Sequence, residues 1–195
     1  MSKKIHQHRR RAHAWPQPWA TLACAGIIFL WYMYTPLSGK IRGLLGATLF
    51  SCMEFCFYMM THERPDGTID FRPFQWNRPG HTTIHQWVIN VFFLPFFLDY
   101  YFLWVQPGIV RALGWMVNVW VLEIVEGYFL IWLYGYNPAW EYHGKDALFH
   151  GTIKLSYWRF WGPMGFVLEY VAWPWLYPLT NTLAMTLHAF LSSFL

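Results

Sequence analysis

Long apolar runs separated by short polar stretches make up most of this chain. A bilayer crossing by helix needs about 20 apolar residues at ~1.5 Å rise each. Runs near that length fall at 16–34, 44–60, 84–105 and 111–133. A further apolar stretch is interrupted by Gly162-Pro163 and by Pro174, so 156–160 is expected at the interface and 162–179 as a crossing. Residues 181–195 are short for a span and suit either a thin sixth crossing or an interfacial amphipathic helix, the crossing being preferred. The expected fold is therefore all-α: a multi-pass transmembrane helical bundle of 5–6 spans, with residues 1–195 forming a single integral membrane domain. Pro95 should kink the third span, because it removes a backbone donor and crowds the preceding turn. The stretch TPLSGKIRG reads as a link between the first two spans, and 61–83 and 134–160 read as polar loops on one side of the membrane. Within the first loop Pro65-Asp66-Gly67 is a turn signal whose flanks predict a small hairpin.

Against this pattern, two carboxylates stand out. Glu123 and Glu126 lie in the middle of the 111–133 run, where a charge costs roughly 2.5–3.5 kcal/mol on insertion scales. At about 100° per residue they share one helical face with Gly127, which lets another backbone approach. Such a face belongs against protein or a wet cavity. Glu54, Asp99 and Glu169 also fall in or beside apolar runs. Glu54, Glu123, Glu126 and Glu169, with Trp140 and Tyr142 from the following loop, are the candidate polar interior. Their work is either a proton, ion or acid–base site, or hydrogen-bonded glue between helices.

A faint internal repeat links some of these residues. Arg42-x-Leu44 precedes Glu54 by twelve residues, and Arg111-x-Leu113 precedes Glu123 by twelve. Asp99-Tyr100 and Glu169-Tyr170 then close the two halves at nearly the same offset. The pattern predicts a two-fold internal repeat of the parallel kind, unlike the inverted repeats of many transporters.

Composition sharpens the membrane reading. The chain is 56% apolar and 22% aromatic, with only 12% charged residues, outside the range of soluble domains. Its 14 Trp and 12 Tyr exceed what two interfacial belts require. They suggest tight helix contacts or an aromatic wall for a lipid, quinone or pigment. Five of the 14 Lys and Arg lie before Trp15, which marks 1–15 as a basic tail next to membrane headgroups. With this tail and both polar loops inside, 11 of the 14 basic residues are inside. The positive-inside rule thus puts the N-terminus on the cytoplasmic face, ahead of a retained first span. The net charge of +4 is concentrated in that tail and does not form the basic face of a nucleic-acid binder. Cys24, Cys52 and Cys56 lie in apolar runs and imply no disulfide framework.

His81 and His85 at i and i+4, with His143 and His150 in the second loop, are the candidate metal ligands. HxxxH alone carries little specificity. Hydrogen-bonding histidines at the interface are the preferred reading, so a metal cofactor is not expected. No Walker loop, GxSxG or GxGxxG occurs.

The run Leu122-Glu123-x-x-x-Gly127, followed by Trp140-Glu141-Tyr142, Gly151, Leu155, Tyr157, Trp161 and Glu169, resembles the transmembrane protein 229 family. Those small multi-pass proteins are grouped with bacterial type IV ABC-transporter permease-like proteins. The resemblance covers about 60 residues at ungapped intervals. It departs at Glu141, where the family usually has Asp, and at Leu122, where it usually has Trp. It implies a multi-pass fold and a permease-like role, without a defined activity. Three functions follow as expectations. The preferred one is a non-catalytic accessory or scaffold subunit of a larger membrane assembly, with membrane lipids and other membrane subunits as partners. The others are a permease-like transport protein and a small membrane enzyme using the Glu and His residues.

Overall fold

A computed structural model describes residues 18–64, 68–72 and 79–194. The basic tail 1–15 and the Pro65-Asp66-Gly67 turn lie outside the described residues. Apart from two short hairpins the described chain is all-α. Three helices are long and apolar enough to cross a membrane: α2 (Leu37–Met60), α3 (Ile84–Trp104) and α4 (Gly108–Tyr134). A shorter apolar helix, α1 (Pro18–Tyr34), precedes them. Thr83 caps α3 by accepting from the Gln86 amide at 3.1 Å, satisfying one of the donors a helix start leaves over.

Helix α2 begins seven residues before the apolar run that predicts it. Most of the stretch read as a link is helical, with Pro36 in extended conformation as its N-cap. Gly39, Lys40, Arg42 and Gly43 look like loop residues only while their neighbours are unknown. A Cβ on Gly43 would collide with the Val91 carbonyl and the Pro95 ring of α3, so the two helices meet there backbone to backbone. Pro95 itself is buried inside α3.

The polar excursions fold into hairpins. Strand β1 (Thr61–Glu63) pairs antiparallel with β2 (Ile69–Phe71), and β3 (Ala147–Leu148) with β4 (Ile153–Lys154). A 3₁₀ turn over Leu155–Tyr157 leads into α5 (Trp158–Val167), a π turn (Leu168–Ala172) and α6 (Trp173–Ser192). Gly162-Pro163 does not interrupt this helix, and Pro174 is the second residue of α6, directly after the π turn, where a proline's missing donor is tolerated. The run therefore continues past residue 180 without reversing, and 181–192 extends α6 instead of starting a separate segment.

Two apolar clusters lie along the bundle. Leu94, Leu98, Trp115, Val119 and Leu122 form one. Ile89, Leu130, Trp140, Tyr142 and Tyr157 form the other, with Phe57, Phe160 and Trp161 against it. The second cluster joins the helices to both polar excursions.

Candidate functional site

The second excursion folds back onto the end of α4. Asn137 accepts from the amides of Ala139 and Trp140 at 3.0 and 3.3 Å, a local turn that brings the chain round. The Trp140 indole then donates to the Thr152 carbonyl at 2.8 Å, and the Tyr142 amide to the Gly151 carbonyl at 2.9 Å. Thr152 is fully buried, and its side chain occupies the space where Gly127 would carry a Cβ. The residue approaching Gly127 is thus a loop threonine, where the sequence suggested a neighbouring backbone. This docking carries Tyr142 down to α4, where its hydroxyl donates to Glu123 Oε1 at 2.9 Å. Burial and then the Glu123 carboxylate push the Tyr142 phenol well above its usual range, so it is a donor at physiological pH.

Glu123 and Glu126 are both buried, 6% and 2% exposed, with one oxygen each, Oε2 and Oε1, lacking a hydrogen-bond partner. Glu54 is partly buried, and its Oε2 accepts from the Thr82 hydroxyl at 2.6 Å. Among the described residues no ion pair involves these three acids. Gln86 is also buried, and its side-chain oxygen has no partner.

Two neighbouring cavities share lining residues at this place. One, of about 600 Å³, is of mixed character, with a larger polar share than the other, and is bordered by both excursions, including His81, Thr82, Trp140 and Glu141. The other, of about 320 Å³, is walled by Phe50, Phe57, Phe160, Trp161 and Met164, with Gln86 and Glu123 on its lining. Glu54, Tyr58, Tyr142 and Tyr157 border both.

Glu169 belongs elsewhere. It pairs with Arg111 at the start of α4, accepting from Nε at 2.9 Å and from Nη2. That is about 18 Å from Glu123 along the helix at ~1.5 Å per residue. Arg42 makes the corresponding contact with Asp99 through Nε and Nη2, at 3.0 and 2.9 Å. Arg42 also donates to Thr180 and Asn181 at 3.0 and 3.2 Å, and Arg111 to the Val105 carbonyl at 2.9 Å. Each guanidinium lies over a ring, Arg42 over Tyr177 at 4.6 Å and Arg111 over Phe102 at 4.7 Å.

No family model, curated protein or solved structure matches the chain.

The histidines do not converge. His81 stacks on Tyr58 at 4.0 Å, His85 meets Tyr134 edge-on at 5.3 Å, and His150 shares a hydrogen bond with the Tyr128 hydroxyl at 2.8 Å. His143 is exposed. Among the described residues no three His, Cys, Asp or Glu side chains come together to hold a metal ion. Lys154, absent from the sequence-based candidates, is fully buried with its ammonium 5.8 Å from the Tyr157 ring. A strand of two residues has no periodicity to reveal that both Ile153 and Lys154 are buried. Nearby, Asp146 accepts from the Ser156 amide at 2.9 Å. Burial pushes the Asp146 carboxyl up, but this hydrogen bond and the Lys154 ammonium outweigh it and hold the group below its usual range.

Proposed function

We propose that this membrane-embedded protein is a non-catalytic scaffold that holds an amphiphilic molecule, a lipid or another cofactor with an apolar tail. The observation that carries this reading is that a cavity of mixed character and a mainly apolar one share Glu54, Tyr58, Tyr142 and Tyr157 as lining. Such a pair matches a molecule with one wet and one greasy end. Both volumes lie within the ~300–1,000 Å³ usual for small-molecule sites. The aromatic side chains left exposed on α1 and α3, among them Tyr34 and the Phe96–Tyr100–Trp104 row, support a place in a larger membrane assembly. The excursion end would face the cytoplasm, by the distribution of basic residues.

The internal duplication and the relation to the transmembrane protein 229 family are part of the same proposal. Two helix–hairpin–helix halves, 37–104 and 108–192, would be parallel copies. In support, Arg42 and Asp99 are 57 residues apart and Arg111 and Glu169 are 58. Each Arg takes its carboxylate from its own half and its aromatic ring from the other. Glu54 and Glu123 are then equivalent positions, and the cavity they share lies between the halves.

The test is extraction of gently purified protein followed by mass spectrometry, alongside a variant that fills the apolar cavity, Met164→Trp. One amphiphile at fixed stoichiometry in the parent and its loss in the variant is the expected result. Bulk membrane lipid alone in both would overturn the reading.

A further inference from the structure

We infer that the amphiphile's polar end is a primary ammonium, seated where the two cavities join; this rests on the amphiphile reading above. The residues around that point present acceptors. Glu123 Oε2 and the Gln86 side-chain oxygen are buried on the apolar cavity's lining without a hydrogen-bond partner. Glu54 borders the same cavity, and the hydroxyl bonded to it uses only Oε2. A buried acceptor without a donor carries its full desolvation penalty, so a ligand that supplies N–H groups is favoured over one that only accepts. A primary ammonium has three such donors. Two further observations select a charged donor over a hydroxyl. No ion pair neutralises Glu54 or Glu123 among the described residues, and aromatic rings border the junction: Tyr142, Tyr58 with one face covered by His81, and Tyr157 with the Lys154 ammonium 5.8 Å away. Carboxylates and aromatic faces together are the surroundings in which a desolvated cation is held. An anionic head would meet the same carboxylates with repulsion. Among the described residues the one Lys or Arg on either lining is Arg159, which is exposed and borders the apolar cavity, while the Lys154 ammonium lies over the Tyr157 ring. A quaternary ammonium has no N–H and would leave the buried oxygens unanswered.

The chemistry is common to a simple long-chain base and to the amino headgroup of an aminophospholipid. The experiment uses the full chain in phosphatidylcholine nanodiscs at pH 7, titrated with dodecylamine, dodecanol, dodecyl sulfate and dodecyltrimethylammonium while tryptophan emission is followed. Dodecylamine should saturate the signal at least tenfold below each of the other three. Glu123→Gln should raise its half-saturation about tenfold and leave that of dodecanol unchanged. Gln86→Leu should do the same to a smaller extent, which keeps the proposal testable if the first variant does not fold. Replacing part of the phosphatidylcholine by phosphatidylethanolamine should shift the dodecylamine curve if the lipid headgroup is the source and leave it in place if a free base is. Dodecanol or dodecyl sulfate binding as tightly as the amine, or an amine advantage that survives both substitutions, would overturn the ammonium assignment and leave the amphiphile site standing. If none of the four saturates, the amphiphile reading falls as well.

Discussion

Arg42 and Arg111 each hold a carboxylate through two guanidinium nitrogens. About 18 Å along α4 from Arg111, Glu123 receives one hydroxyl and keeps a bare oxygen. Both regions place acids within a membrane bundle, yet only one neutralises them. At the arginine end Arg42, Asp99, Arg111 and Glu169 are matched and join helices distant in sequence, as structural glue should. At the excursion end Glu54 and Glu123 face cavities and are only partly satisfied, an arrangement that costs stability unless something else binds there. The difference teaches that a buried carboxylate in a membrane protein is informative through its partners more than through its depth.

The comparison breaks most visibly if the arginine end proves dispensable. Arg42→Ala strands Asp99 and Asn181, while Thr180 keeps its bond to the Tyr177 carbonyl, and should cost about 3 kcal/mol, the low end for opening a buried pair because Asp99 is 32% exposed. Thermal melting of the detergent-solubilised protein reads this, and a variant as stable as its parent would remove the structural role. Tyr142→Phe takes away the one donor of Glu123 Oε1 and should cost about 1–3 kcal/mol. It should also loosen the docked excursion, seen as faster amide exchange over 140–155. Glu123→Gln sharpens the contrast. An amide still accepts from Tyr142 and is cheaper to bury than a carboxylate, so stability should change by less than about 1 kcal/mol. A loss as large as that of Arg42→Ala would make the two ends alike.

The smallest effect concerns pH. The Asp146 carboxyl is held below its usual range, so its contribution is fully present above the unfolded value of about 3.9. It is lost only as pH falls through the lower folded value. Exchange of the Ser156 amide should therefore keep its protection factor between pH 7 and 5 and lose it only under stronger acid. Loss of protection near pH 6 would point to a different group.

Much of this architecture was legible in advance. Residue counting places α3 and α4 almost to their ends, because their apolar runs are unbroken and bounded by Thr83, Pro107 and Gly135. The face of Glu123, Glu126 and Gly127 follows from helical periodicity alone. The start of α2 does not, since Lys40, Arg42 and two glycines mimic a loop until Asp99 and Val91 are seen against them. The sequence groups Glu169 with Glu123, because spacing along the chain does not say at which end of a bundle a residue arrives. Gln86 gave no sign of its place on a cavity, being one polar residue near a helix start. The docking of Thr152 on Gly127 depends on a loop path that sequence pattern does not encode.

The reach of Arg42 also sets an order of events during biosynthesis. Its partners lie 57, 138 and 139 residues downstream. At about 5–20 residues per second, the last of them is translated roughly 7–28 s after the arginine. Asp99 is made after roughly 3–11 s, but until Thr180 and Asn181 follow, the guanidinium of α2 is only partly satisfied, and the helix should dwell in an interfacial or chaperoned state before it settles. Chains ended at Leu179 should therefore be retained by the insertion machinery and turned over faster than the full chain, which pulse-chase labelling would show as a shortened half-life.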